Sequence, residues 1–437
     1  MLTTAPLPSL KHVLMVAYNY PPLENTGITR TVKFAKYLPQ FGYKPVILTT
    51  RTYGCLPDDA ASLTFRVDDM LGLVKRTFLA WQRRQGVVSQ HSDIRLLPPG
   101  GRLERWKAAY LAPDPKIIWY PPALQQAQKI IKTLPIRCLY STSPPESAHL
   151  VALKLKRETG LPWVADLRDG WLFEPHLSAR LTSAWRHRLE ANLESKVMAA
   201  ADRIITINEV LAADLTRRYP QAAAKVSVIT NGFDPDDFAH LRWPTTPATH
   251  FQVIYTGSLA LSRAGTSIAG LLQALQTMRA ARLEMMEQLK VVLVGNLAPA
   301  EVRAIEQAGL SPYFSLVAPL PYQQALQYQV EAAALLLVIA PDSTGVSTSK
   351  LFDYLASGRP ILALSNSSPA ASLVTALEAG VVVAPDDVAG IQQALQTFYQ
   401  QWQAGQLPSR HHPRLSQFER RELTRQLATL FDELVRP

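Results

Sequence analysis

Cysteine is scarce: Cys55 and Cys138 are the two in 437 residues. Neither belongs to a CxxC pair or to a Cys/His ligand spacing. A disulfide framework or structural zinc site is therefore not expected, and a reducing compartment fits. Long apolar runs are lacking too, since no stretch approaches the roughly 18–20 apolar residues of a membrane span. The opening "MLTTAPLPSLKHVLMVAYNYPP" carries too short an apolar run for a secretory signal and reads as a strand entering a turn. The expectation is a cytoplasmic protein, dissolved or peripheral on the inner face of the plasma membrane. No zinc-finger or aromatic ribonucleoprotein signature occurs, so nucleic acid is not expected as a partner. No DxD-like pair ends a strand, because Asp68-Asp69 and Asp236-Asp237 fall in loops. No catalytic metal is expected. Charged residues make up 18%, yet they are biased to a net +10, which suits an anionic partner such as a phosphorylated substrate or a membrane surface.

What is present is alternation. "HVLMVAY" reads as a buried strand, "ITRTVKFAKYLPQFG" as a helix and "KPVILTT" as a second strand, which makes a βαβ unit and implies a parallel sheet. "RCLYST", "PWVADLRD", "RIITIN" and "KVSVIT" continue the series, with helical stretches between them. The same grammar restarts at "FQVIYTGSL" and runs through "KVVLVGN", "FSLVAPLP", "ALLLVIAP", "ILALS" and "GVVVAP". Between the halves lies "NGFDPDDFAHLRWPTTPATH", rich in Asn, Asp, Pro and Thr, which is linker chemistry. The expected domains are 1–240 and 241–437, with an irregular insert at 51–122 and a last helix, 415–437, that packs back on the first domain. Within the insert, "LGLVKRTFLAWQRR" is basic and amphipathic. It reads either as a helix packed on the first domain or as an interfacial helix against lipid headgroups.

In open parallel sheets, ligands bind at the carboxyl ends of strands, so the loops after the strands hold the chemistry. One such stretch is "GVSTSKLFDYLASGRP", Gly345 to Pro360. A small-residue loop (Ser347, Thr348, Ser349) opens a short helix whose first N–H groups lack partners, a ready anion site. Lys350 adds a positive charge there. Asp353 shares its helix face and suits two vicinal hydroxyls, such as those of a ribose. The plainer reading is a Ser349 cap with Lys350 and Asp353 as a surface pair. Gly27 lies in the turn after the first strand, where a missing side chain lets backbone amides approach a phosphate. Arg30 opens the next helix and can add charge. Asp166 and Arg168 end the strand "PWVADLRD", with Asp169 one residue on; a carboxylate there can bond hydroxyls, or the Asp–Arg pair can shape the loop.

These stretches carry a resemblance. "YNYPPLENTGITR", "STSPPESAHLVALKLKRETGLPWVADLRDGW", "VITNGFD", "YTGSL" and "SKLFDYLASGRPILAL" resemble a family-4-type retaining glycosyltransferase of the GT-B fold, in the expected order along nearly the whole chain. The resemblance implies an α/β protein of two Rossmann-like domains whose parallel sheets face each other across a cleft. It implies a nucleoside-diphosphate sugar, UDP- or GDP-linked, held mainly by the C-terminal domain as co-substrate, with no other cofactor. It implies transfer with retention to a glycan or lipid-linked glycan acceptor on the N-terminal domain, and closure of the domains for catalysis. On this reading Lys350 and Arg263 face the diphosphate, Gly257 and Ser258 line it, and Pro319 belongs to the segment Val317–Pro321 that receives the base through main-chain groups. Asp166 stands where many relatives have a histidine. Departures exist. Of two glutamates common in the family, one position is Asp353 and the other is Gly345, and Ser258 follows Gly257 where many members have arginine. A GT-B epimerase and a degenerate GT-B scaffold remain alternatives.

Overall fold

Continuous apolar runs become inner strands because both faces of a parallel sheet are covered by helices. A computed structural model describes residues 10–23, 27–54, 63–70, 72, 77, 111–173, 184–244, 249–259, 268–339, 349–406 and 412–435. The chain divides into two units, Met1–Thr230 with Arg420–Pro437, and Asn231–Glu419. It thus passes to the second unit at Thr230/Asn231, ahead of the 240/241 boundary expected from the sequence. The reason is apolar: Phe233 and Phe238 are buried in the second unit's core, and the Phe233 N–H donates to the Phe418 carbonyl.

The first unit's sheet contains β1 (Lys11–Val16), β2 (Tyr43–Thr50), β3 (Leu63–Val67), β4 (Ile136–Ser143), β5 (Trp163–Leu167), β6 (Arg203–Thr206) and β7 (Val226–Val228). Their spatial order is β3-β2-β1-β4-β5-β6-β7, and every pairing is parallel. Side chains alternate between faces, as the strand period requires. Leu14 and Val16 join one core layer; Val13 and Met15 join the other. That second layer includes Phe34 of α1 (Thr29–Tyr37) and Leu423, Leu427 and Phe431 of the last helix, Arg420–Leu434. The last helix is also tied down by the Tyr43 hydroxyl, which donates to Asp432 at 2.6 Å.

The second unit's sheet contains β8 (Phe251–Thr256), β9 (Leu289–Val294), β10 (Phe314–Val317), β11 (Ala334–Val338), β12 (Ile361–Leu364) and β13 (Gly380–Val383), ordered β10-β9-β8-β11-β12-β13 and all parallel. In both sheets the chain order reverses direction at one place, between β1 and β4 and between β8 and β11. That is where an open α/β sheet leaves a crevice beyond its strand ends. No helix among the described residues is long and apolar enough to cross a membrane.

One core residue makes the first unit sensitive to acid. His149, in the helix Ser147–Thr159, is fully buried, and its ring lies 6.4 Å from that of Trp171. Its Nδ1 is 2.8 Å from the Ser141 hydroxyl, while Nε2 has no hydrogen-bond partner among the described residues. Burial pushes the imidazole down to about 4 from its ordinary value of 6.5. The unfolded chain therefore binds the extra proton between about pH 4 and 6.5, and the folded chain does not. Stability is full above that window and falls by roughly 3 kcal/mol as pH drops through it. Urea midpoints measured across this range should fall toward acid, and His149→Phe should flatten that dependence; an equal slope in both proteins would refute it.

Candidate functional site

The expected residues fall into two sets, one in each unit. In the first unit, Asp166 on β5 is fully buried and both of its oxygens are engaged. The Arg30 Nε donates to Oδ2 at 2.8 Å, the Arg30 Nη2 to Oδ1 at 3.2 Å, and the Tyr140 hydroxyl to Oδ2 at 2.5 Å. Arg30 is itself 1% exposed and donates from Nη1 to the Thr230 carbonyl at 2.7 Å. Neither charge is presented to a ligand, so the geometry gives the pair a structural role, whereas the sequence pointed to a catalytic carboxylate and a binding arginine. The register explains it. Tyr140 and Thr142 on β4 share the sheet face of Asp166, since Thr142 pairs with Asp166, and α1 lays Arg30 over that face.

Arg168 does something else. Its Nε donates to the Ser143 carbonyl at 2.8 Å, its Nη2 to the Pro144 carbonyl at 3.3 Å, and its Nη1 to the Gly27 carbonyl. One side chain thus fastens the loops after β1, β4 and β5, at the point where the strand order reverses. Gly27 is half-buried, and Asp169 lies exposed beside Arg168. Of the first unit's candidates, Gly27 and Asp169 reach the strand-end surface, while Arg168 is buried.

In the second unit, the helix Ser349–Ser357 follows β11 and is anchored through Tyr354 to the end of β8. The Tyr354 hydroxyl accepts from the Thr256 backbone N–H at 2.9 Å. The Gln329 amide donates to the Thr256 hydroxyl at 2.9 Å. This brings Lys350, half-buried, against Gly257. A side chain at 257 would place a Cβ 2.7 Å from the Lys350 Nζ, and Gly257 has a φ of +122°. Gly295, at the end of β9, is equally constrained. Its φ is +137°, and a Cβ there would lie 2.1 Å from the Gly257 carbonyl oxygen. The glycines let the ends of β8 and β9 close on one another, with the Gly257 N–H donating to Val294 at 2.7 Å.

The Lys350 Nζ lies 3.7 Å above the centroid of the Tyr255 ring. Burial pushes its amine down to about 7. Asp353, on the same helix, accepts from the Tyr322 hydroxyl at 3.0 Å. Tyr322 begins the helix Tyr322–Glu331, directly after the exposed Pro319 and the segment Val317–Pro321. Lys350, Asp353, Gly257, Ser258 and Ser349 are therefore one neighbourhood beside the strand-order reversal. Arg263, Ser347, Thr348, Gly345 and the amphipathic stretch 71–84, apart from Gly72 and Thr77, lie outside the described residues. Among the described residues no group of three or more His, Cys, Asp or Glu side chains is placed to hold a metal ion.

Sequence reasoning missed Tyr255, Tyr354, Tyr140 and Gly295. For Tyr255 the signal was available, because an aromatic two positions before Gly257 must share a sheet face with Val253 and so sit beside the loop.

Residues 27–237 match the family described as Glycosyltransferase Family 4. No curated protein matches the sequence. Solved structures match along nearly the full length. Sucrose-phosphate synthase from Thermosynechococcus elongatus has a TM-score of 0.63 at 13% identity, covering 97% of this chain and 99% of that one. Anabaena HepE in complex with UDP has a TM-score of 0.58 at 16% identity, covering 97% and 100%. WaaG, a glycosyltransferase involved in lipopolysaccharide biosynthesis, has a TM-score of 0.57 at 12% identity, covering 98% and 100%. At these identities the structures speak for the fold. The chain has the GT-B fold, with two Rossmann-like units, and its residues 27–237 are similar to Glycosyltransferase Family 4.

Proposed function

We propose that this protein transfers a sugar from a nucleoside-diphosphate sugar to an acceptor hydroxyl, with retention at the anomeric carbon. The observation that carries the reading is Lys350: a half-buried amine at a helix start, beside a glycine corner that no side chain fits, with Asp353 on the same helix. An amine at a helix start suits a diphosphate, and a carboxylate already oriented by Tyr322 suits ribose hydroxyls. As the sugar leaves, charge builds on the diphosphate, and Lys350 stabilises it; no metal is required on this reading. HepE has been crystallised with UDP and with UDP-glucose, which favours a uridine donor here. In the first unit, Arg168 holds the Gly27 loop where an acceptor would sit, while Asp166 positions Arg30 and takes no part in chemistry.

The net charge of +10 and WaaG's part in lipopolysaccharide biosynthesis support a lipid-linked acceptor in cell-envelope assembly, met on the inner face of the membrane. The test is UDP release from UDP-glucose with and without an extract of bacterial lipid-linked glycans. Release that depends on the extract, with an α-linked product by NMR, is expected. Conversion of the donor sugar without any acceptor would instead identify an epimerase.

A further inference from the structure

Lys350 is long and flexible, and an amine on such a stem loses rotamer freedom whenever it is held for a ligand. The structure shows one group that holds it. The Tyr255 ring lies beneath the ammonium at 3.7 Å, a distance at which the negative face of an aromatic ring attracts a cation. The same tyrosine serves the loop beyond it, since its hydroxyl donates to the Ser258 carbonyl at 2.9 Å. Tyr255 is almost fully buried, so its ring cannot swing away, and burial raises its phenol, which stays a neutral donor. The ring therefore supports Lys350, and the bare Gly257 Cα leaves room for its amine.

We infer that Tyr255 is the positioning residue that seats Lys350 for contact with the donor diphosphate, an inference that rests on the sugar-nucleotide reading above. Its two functions separate cleanly. Tyr255→Phe keeps the ring and removes the bond to Ser258. Tyr255→Leu removes both, and Tyr255→Met serves where leucine does not fold.

Two measurements decide it. The first needs no nucleotide. In full-length protein carrying 13C-lysine, the Lys350 Cε–H resonance, assigned by its loss in Lys350→Arg, should be displaced upfield by the ring current. It should stay displaced in Tyr255→Phe and return to the ordinary lysine position in Tyr255→Leu. A Lys350 resonance at the same position in wild type and Tyr255→Leu overturns the inference. The second is titration with UDP. Tyr255→Leu should weaken binding about tenfold and Tyr255→Phe less than twofold. Adding Tyr255→Leu to Lys350→Ala should weaken it no further, because the two side chains act through one contact. Full additivity, or unchanged affinity in Tyr255→Leu, overturns the inference. If wild type shows the ring shift but binds no nucleoside diphosphate, the sugar-nucleotide reading fails, and the seat for Lys350 stands without it.

Discussion

Lys350→Ala is expected to weaken nucleoside-diphosphate binding about 100-fold, on the order of 3 kcal/mol. The size follows from position. An exposed lysine contributes little, because water screens it. Lys350 is desolvated enough to bring its amine down to about 7, so a phosphate beside it meets a charge with little competing hydration. The same fact sets the sign of a pH dependence. An anion favours the protonated amine and raises its pKa in the complex. Above pH 7 the free protein must therefore take up a proton to bind, and affinity should fall between pH 7.5 and 9. Titration in buffers of different ionisation enthalpy reads that uptake directly. Lys350→Met, which keeps the stem and drops the charge, should lose both the affinity and the pH dependence. Unchanged affinity in either variant would remove the assignment of the Ser349–Ser357 helix start.

Asp166→Asn is expected to cost about 3–5 kcal/mol of stability, because it leaves the guanidinium of Arg30 buried without a counter-charge. At 1% exposure, the Arg30 guanidinium cannot reach water. Unfolding by urea should shift to markedly lower midpoint. Replacing both partners with apolar residues, Arg30→Met with Asp166→Leu, should recover much of the loss, since no charge is then stranded. Residual UDP release should track the folded fraction. A variant as stable as wild type but inactive would instead restore Asp166 as a catalytic carboxylate.

These two sites also mark how far the sequence could be read. The place of Lys350 at a helix start after β11 was legible because its cues are local: an apolar strand, a small-residue loop, and a helix ending before Gly358. The strands were legible because runs such as "ALLLVIAP" must be buried on both faces. Asp166 was misleading for the opposite reason. At a strand end it looks like an open carboxylate, and only the pairing of β4 with β5 and the return of α1 show that Tyr140 and Arg30 consume it. No local pattern announces partners more than a hundred residues away, as Arg30 is from Asp166. Tyr255 failed to stand out because a tyrosine in a strand is ordinarily core, and here it is core as well as a seat. The linker was read from Asn, Asp and Pro, but Phe233 and Phe238 inside it carry apolar area that the second unit buries.

The most direct test is calorimetric titration of the purified full-length chain, free of metal, with UDP, GDP, ADP and dTDP. The account predicts micromolar binding by one of them, UDP foremost, with loss of that binding in Lys350→Ala. Absence of binding by all four would contradict it, leaving a GT-B fold without the nucleotide site that Lys350, Gly257 and Asp353 are proposed to form.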